Sequence, residues 1–256
     1  ISPFLRLFFQ FLIATFIWSQ GISINSIFIP GILDGFNLIL YPKIISLILT
    51  SIWIVGVTNA INWIDGLDGL ATGITSITSI AIFGISISSG DLTTAFISCS
   101  LAGASLGFIF YNRFPSYIIM GDCGSNFIGF MLAILALSVS SYTSNSINIL
   151  IPFGVLLMPG LDMTFVILKR LYMKKSPFFP DRSHLHHVIL NTGMSHKNTV
   201  YTIQSITTII IVFTMIKLEI NFLLILLAVI TLAFIILYVE LFNIFEKMKK
   251  KYFKKS

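Results

Sequence analysis

Long apolar runs alternate with short polar segments along this chain of 256 residues. Runs of roughly 17 to 25 residues without strand-like alternation are typical of bilayer-spanning helices, because a helix satisfies its own backbone hydrogen bonds in lipid. Proline and glycine interrupt residues 21–42, which predicts a short hairpin or an interfacial loop there. We predict eight spans, at residues 4–19, 44–60, 70–88, 94–111, 126–141, 148–168, 200–217 and 221–243.

The composition supports a membrane protein. Hydrophobic residues make up 56% of the chain and charged residues 10%, against roughly 25% charged in a soluble domain, and the mean hydropathy is +0.95. The predicted fold class is therefore all-α: a polytopic transmembrane helical bundle, with residues 1–256 forming one membrane domain. Cys99 lies in an apolar run and Cys123 beside a polar motif, so no disulfide framework is expected.

Lysine and arginine predict the orientation of the chain in the membrane. With eight spans, all of the 16 basic residues except Lys43 and Lys217 fall on one side, which we assign to the cytoplasm. That side includes a loop at 169–199 and a basic tail at 244–256, which predicts contact with anionic lipid. A nucleic-acid partner is not expected, because no soluble module could carry it. The same orientation places most of the acidic residues and all four histidines at or near the cytoplasmic face. They are Asp65, Asp68, Asp122, Asp162, Asp181, His184, His186, His187 and His196.

The first polar motif has amides and carboxylates three residues apart, at Asn59, Asn62, Asp65 and Asp68. In a helix, this spacing would align all four side chains as one stripe. Carboxylate and amide oxygens suit Mg²⁺, which binds through one or two carboxylates together with substrate phosphates. The competing interpretation is a turn, because Asp-Gly is a common turn dipeptide.

The second motif, GDCGSNFIGF at residues 121–130, begins the fifth span. Glycines on both sides of Asp122 predict a tight turn that leads into a helix, whose free backbone N–H groups could bind an anion. The alternative is that Asp122 only caps the helix.

The third motif, PDRSHLHH at residues 180–187, lies in the longest cytoplasmic loop. No cysteine accompanies the histidines and the spacing is not that of a structural zinc site. Contact of Arg182 and the histidines with phosphate is the better interpretation, and a solvated loop is the alternative. We expect Asp162, ahead of Lys169 and Arg170, to pair with a basic side chain rather than to act in catalysis.

NAINWIDGLDGLA at residues 59–71, together with the second and third motifs, closely resembles the signatures of the polyprenyl-phosphate sugar-1-phosphate transferases, glycosyltransferase family 4. The resemblance implies a membrane enzyme that transfers a sugar-1-phosphate from a UDP-sugar to undecaprenyl phosphate and releases UMP. It also implies a requirement for Mg²⁺, with Mn²⁺ as an alternative. The product would start the synthesis of a cell-envelope polysaccharide or teichoic acid.

The resemblance also implies roles for individual residues. Asp122 would be the magnesium ligand with Asn62 as a second contact, and Asp65 and Asp68 would hold the nucleotide and order the metal site. The substrate-binding set would comprise Asn59, Asn62, Arg182, His184, His186 and His187.

The histidine pattern and two departures from the family qualify these implications. His184-Leu-His186-His187 is similar to the N-acetylhexosamine branch and favours UDP-N-acetylglucosamine over the substrate of the phospho-N-acetylmuramoyl-pentapeptide translocase branch. The family's adjacent acidic pair would precede residue 1, so we expect an N-terminally shortened and inactive polypeptide. Trp63 and Cys123 also differ from the family pattern. An ion-coupled transporter or flippase remains the alternative of a different class.

Overall fold

The structure is a computed structural model that describes residues 2–28, 38–39, 43–141, 147–148, 150–174, 176 and 184–253. At residues 27–28, 38–39, 147 and 242–253 it describes the backbone alone.

Helices dominate the described chain. In order they are α1 (Pro3–Ser19), α2 (Lys43–Ile64), α3 (Leu70–Ser89), α4 (Leu92–Asn112), α5 (Gly121–Ser141), α6 (Leu150–Tyr172), α7 (Leu185–Asn191), α8 (His196–Lys217) and α9 (Phe222–Phe253). Seven of them are long and apolar enough to cross a membrane, and α1 is a shorter apolar helix. Each of the eight predicted spans coincides with one helix, so the prediction of an all-α polytopic bundle is confirmed.

Three very short strands connect the segment between α1 and α2 with the segment between α5 and α6. They are β1 (Ser26–Phe28), β2 (Leu38–Ile39) and β3 (Ile147–Asn148). Strand β1 pairs antiparallel with β2, which agrees with the hairpin predicted for residues 21–42, and parallel with β3. These strands follow the ends of α1 and α5, so they join the bundle at one end only.

Helix α3 is the centre of the bundle although it is rich in serine and threonine. Nearly all of it is buried, and it contacts α4, α5, α6, α8 and α9. Small hydroxyl side chains allow neighbours to approach closely, and they can return their hydrogen bonds to the same helix. Thr75 and Ser76, for example, donate to the carbonyls of Ala71 and Thr72, at 2.7 and 2.9 Å.

A proline inside α6 creates a specific contact between α3 and α6. Pro159 has no backbone N–H, so the carbonyl of Val155, four residues earlier, lacks its normal helical donor. The hydroxyl of Thr78 on α3 donates to that carbonyl at 3.2 Å. This hydrogen bond satisfies the buried carbonyl of Val155, which lipid could not satisfy.

Helices α2 and α5 approach each other almost backbone to backbone. A Cβ placed on Gly129 would lie 2.8 Å from the Cα of Thr58 and 2.9 Å from its carbonyl oxygen. Such a Cβ has no room, because the atoms it would meet are main-chain atoms. The crossing therefore fixes how the next turns of the two helices face each other.

Candidate active site

The first two motifs meet one helical turn beyond the α2–α5 crossing. Asn62 lies on the last turn of α2, and its Nδ2 donates to Ser125 Oγ at 2.8 Å and to Asp122 Oδ1 at 3.3 Å. Asp122 lies in the first turn of α5, after Gly121 with φ +68°. The tight turn that leads into a helix is therefore present, as predicted. Two motifs that are sixty residues apart in sequence form one polar cluster.

Asp122 is open to solvent and is held by contacts from two other helices. Its side chain is 81% exposed, and its Oδ2 lies 3.4 Å from Arg6 Nη1 of α1. The carboxylate of Asp122 accepts hydrogen bonds from Asn62 and Arg6. Its backbone carbonyl accepts from Asn126 Nδ2 at 2.6 Å. The interpretation of Asp122 as a helix cap alone is therefore not supported.

Sequence reasoning missed three polar residues of this cluster: Arg6, Gln10 and Asn126. Gln10 on α1 connects two helices, since its Oε1 accepts from Asn59 Nδ2 at 2.8 Å and its Nε2 donates to Asn126 Oδ1 at 3.0 Å. A signal was available for each of them. Arg6 and Gln10 are polar residues one turn apart in an apolar run, and Asn126 lies within the second motif.

The predicted helical stripe of four side chains is only half correct. Helix α2 ends at Ile64, so Asn59 and Asn62 share a helix whereas Asp65 and Asp68 lie in the loop that follows. Gly66 and Gly69 of the repeated Asp-Gly disfavour continuation of the helix. Gly69, directly before α3, has φ +80°, a left-handed conformation that favours glycine. The turn interpretation is correct for this half of the motif.

The loop at 65–69 is held rigidly from two sides. Asp68 Oδ2 accepts from the backbone N–H of Ser116 at 3.1 Å, after the end of α4. The N–H of Gly69 donates to Asn112 Oδ1 at 3.1 Å, and its carbonyl accepts from Gln204 Nε2 of α8 at 2.9 Å. Asp68 is thus already engaged with the backbone, which fits an ordering role.

The pKa of Asp65 is raised by burial and by the two acidic side chains near it. Burial, followed by the charges of Asp122 and Asp68, raises the pKa of Asp65 to about 7 from 3.8. Neighbouring carboxylates that repel one another in this way favour the binding of a proton or of a cation. The electrostatics therefore suit a site for a positive ion.

The histidine motif lies at the same end of the bundle. His184 precedes α7, and its Nδ1 lies 2.8 Å from Asp162 Oδ2 of α6. Asp162 pairs with a basic side chain, as expected, but the partner is His184 rather than Lys169 or Arg170. Arg182, the remaining predicted contact of this motif, lies outside the described residues.

His186 connects the third motif to the first. Its ring lies against Gly66, where a Cβ would overlap the ring nitrogen Nε2. Burial, followed by the charges of His187 and His184, lowers the pKa of His186 to about 4. The ring is therefore neutral at neutral pH, and the residue is buried. The ring of His187 lies 4.3 Å from it, between centroids.

Trp63, which departs from the family pattern, has a structural explanation. Its ring contacts the ring of His184 edge to face, with centroids 5.6 Å apart, and the Arg170 guanidinium lies 5.0 Å from the Trp63 ring centroid. An aromatic face suits the buried guanidinium of Arg170. Trp63 thus joins α2, α6 and residues 184–191, which we call the histidine segment.

A groove opens between α1, α2 and α5 beside the cluster. Its lining combines charged and polar side chains with apolar ones, comprising Arg6, Phe9, Gln10, Ile13, Ile54, Thr58, Asp122, Cys123, Asn126, Phe127 and Phe130. Such a surface can accommodate a molecule with an ionic head and an apolar body.

Comparison with known proteins identifies the family. The model of glycosyl transferase family 4 matches residues 1–140, more than half of the chain, including the first two motifs. The chain belongs to glycosyl transferase family 4. The family resemblance is thereby confirmed, and the matched residues contain the first two motifs.

Curated relatives of the family have related names. The chain is 35% identical over 208 residues to a probable undecaprenyl-phosphate N-acetylglucosaminyl 1-phosphate transferase of Bacillus subtilis, covering 80% of this chain and 56% of the relative. It is 36% identical over 213 residues to the decaprenyl-phosphate N-acetylglucosaminephosphotransferase of Mycolicibacterium smegmatis, covering 76% and 52%. The chain spans about half the length of these relatives.

Proposed function

We propose that this protein transfers N-acetylglucosamine-1-phosphate from its UDP derivative to a polyprenyl phosphate, with undecaprenyl phosphate as the acceptor, and releases UMP. The observation that carries the proposal is the direct contact between Asn62 and Asp122, which unites two family motifs beside the groove. The names of the relatives support the sugar and the class of lipid. Translocase-like specificity is the alternative within the family.

The groove supports a lipid phosphate as the acceptor. Arg6 and Asp122 line it in contact with each other, and Phe9, Phe127 and Phe130 are among its apolar lining. A guanidinium is well suited to bind a phosphate oxygen. Phosphate bound at Arg6 would leave the prenyl chain along the aromatic side chains, so the lipid could remain largely in the membrane.

Mg²⁺, with Mn²⁺ as the alternative, fits the donor atoms of this cluster. Within the described part of the chain, no three His, Cys, Asp or Glu side chains are arranged to hold a metal by themselves. That suits Mg²⁺, which keeps waters and shares substrate phosphates. Asp122 would hold it with the Asn62 carbonyl oxygen, since both Asn62 bonds use the amide nitrogen. When bound, the ion would neutralise the diphosphate and favour departure of UMP.

The remaining chemistry is positioning by side chains of the chain itself. Asp68 would order the 65–69 loop for the nucleotide through its bond to the Ser116 N–H. The histidine segment would close the site over the diphosphate, with His186 against Gly66 as the contact between loop and segment. Restricting water here would favour transfer to the lipid over hydrolysis.

The cluster and the C-terminus would face the cytoplasm. The distribution of basic residues favours this orientation. Lys197 at the start of α8 pairs with Glu240 of α9 at 2.6 Å, so the last part of α9 lies at the same end of the bundle as the cluster. A soluble sugar nucleotide would then reach the site directly from the cytoplasm.

The test measures UMP release by membranes that contain the protein expressed from its whole open reading frame. We expect release from UDP-N-acetylglucosamine that requires both undecaprenyl phosphate and Mg²⁺. Preference for UDP-N-acetylmuramoyl-pentapeptide would instead assign the translocase branch. Absence of UMP with every UDP-N-acetylhexosamine would reject the transferase and favour the transporter alternative.

A further inference from the structure

Asp162 is a buried carboxylate that is committed entirely to the histidine segment. The residue is 5% exposed on α6, three residues after Pro159. Its Oδ2 lies 2.8 Å from His184 Nδ1, and its Oδ1 accepts from the backbone N–H of Leu185 at 2.6 Å. Each oxygen thus contacts the point where the segment enters α7.

This double contact fixes both the backbone and the ring of the segment. The N–H of Leu185 is the first of α7, a group that helices leave without an internal partner. The carboxylate at Nδ1 leaves Nε2 as the ring nitrogen that can face a ligand. A buried carboxylate without partners would be costly, so the contacts are expected to persist.

The pair of Asp162 and His184 is connected through ring contacts to the first motif. Trp63, which contacts the His184 ring, directly follows Asn62 in α2. The rings of His184 and His186 are nearly parallel, at 11°, and His186 lies against Gly66. A shift of His184 would therefore be transmitted to the loop that carries Asp65.

We propose that Asp162 is a positioning residue that acts through His184, orienting its ring so that Nε2 serves the diphosphate of the sugar nucleotide. The proposal rests on the proposed function for the identity of that ligand. Asp162 itself touches neither substrate nor metal in this scheme. It is distinct from a merely structural ion pair, because its effect must depend on the imidazole.

A double-mutant cycle tests that dependence. We expect Asp162→Asn to raise the KM for UDP-N-acetylglucosamine about tenfold, the lower end of the effect expected when an orienting partner is lost, while the KM for undecaprenyl phosphate is unchanged. In a His184→Gln background, the same change should add less than about twofold, since coupled residues are not additive. An equal factor in both backgrounds would overturn the proposal.

Amide hydrogen exchange provides a readout that does not need catalysis. Asp162→Asn should speed exchange at residues 185–191 and leave α3 and α5 unchanged, whereas Asp91→Asn, at the start of α4 at the opposite end of the bundle, should leave 185–191 unchanged. Unchanged exchange at 185–191 in Asp162→Asn would contradict the link. If the wild type released no UMP, the proposed function would fail, and the exchange result would still decide the link.

A second variant covers the case in which Asp162→Asn does not fold. Leu185→Pro removes the N–H that Asp162 accepts and keeps the carboxylate. Proline is well tolerated at the first position of a helix, and His184, with ψ 147°, already has the conformation favoured before proline. We expect faster exchange at 186–191 and a severalfold higher KM for the sugar nucleotide. An unchanged KM together with unchanged exchange would overturn the proposal.

Discussion

Two acidic side chains at the same end of the bundle have opposite environments. Asp122 is 81% exposed and is held by contacts of 3.3 and 3.4 Å, whereas the side chain of Asp162 is 2% exposed and bonded at 2.6 and 2.8 Å. Long contacts at an open carboxylate leave it able to take a ligand, while short contacts at a buried one hold protein to protein. We propose that this difference separates a reactive half of the site, around Asp122, from a positioning half, around Asp162.

Removing the charge of Asp122 is expected to have the largest effect on activity. Asp122→Asn should lower UMP release a hundredfold or more, on the order of the loss of a main electrostatic group. Thermal stability should change little, because the side chain is exposed. Asp91→Asn is the matched control and should keep both properties, since asparagine also caps helices well. Activity that survives in Asp122→Asn would remove Asp122 from the reactive half.

Separating α2 from α5 should damage the reactive half through geometry alone. Gly129→Ala places a methyl group 2.8 Å from the Thr58 Cα, so the helices must move apart and Asn62 must shift from Asp122. We expect a loss of about 1–3 kcal/mol in the free energy of unfolding and of tenfold to about a hundredfold in kcat. Gly103→Ala, with nothing within 4 Å, is the control. Equal behaviour of the two variants would contradict the role of the crossing.

The complementary change affects the positioning half. Gly66→Ala would place a methyl group on the ring of His186 and displace the histidine segment. The KM for the sugar nucleotide should rise by about tenfold, as for the loss of other orienting contacts, and the KM for the lipid should stay constant. Gly160→Ala has open space around it and serves as the control. A change in the lipid KM alone would show that the two halves are not separate.

The smallest expected effect is the pH dependence of stability due to Asp65. Its pKa is raised from 3.8 to about 7, so its protonated form contributes stability that is complete below pH 3.8 and is lost as the pH rises through 7. Because the side chain is only half-buried, the contribution is on the order of 1 kcal/mol. In thermal unfolding without divalent ions, Asp65→Asn should flatten the decline between pH 4 and 7. Mg²⁺ should also flatten this decline in the wild type. If stability declined with pH equally steeply in Asp65→Asn and in the wild type, the decline would be due to other groups.

The sequence predicted the helices well because a bilayer requires each span to be a long run of apolar residues. Apolar length alone located eight helices, and charge located the polar end of the bundle. The stripe from Asn59 to Asp68 was predicted incorrectly at its end, because spacing describes a helix that continues, whereas α2 ends at Ile64 and Asp65 and Asp68 lie in the turns that follow. Local spacing could not determine which tendency prevails.

Tertiary partners were beyond the reach of sequence patterns. The sequence predicted that Asp162 pairs with a basic side chain, but the partner is twenty-two residues away and outside the helix. Gln10 joins Asn59 and Asn126 across three helices, and no spacing rule connects these positions. The three family motifs, in contrast, were recognisable because each is contiguous.

The bond from Thr78 to the carbonyl freed by Pro159 has a consequence for biosynthesis. A helix with an unmet carbonyl is poorly suited to hydrocarbon, and the side chain that donates to this carbonyl comes from α3. Helix α3 leaves the ribosome before α6, so the hydroxyl that completes α6 is already present when α6 is made. The order of the two helices in the gene thus matches the order in which their shared hydrogen bond can form.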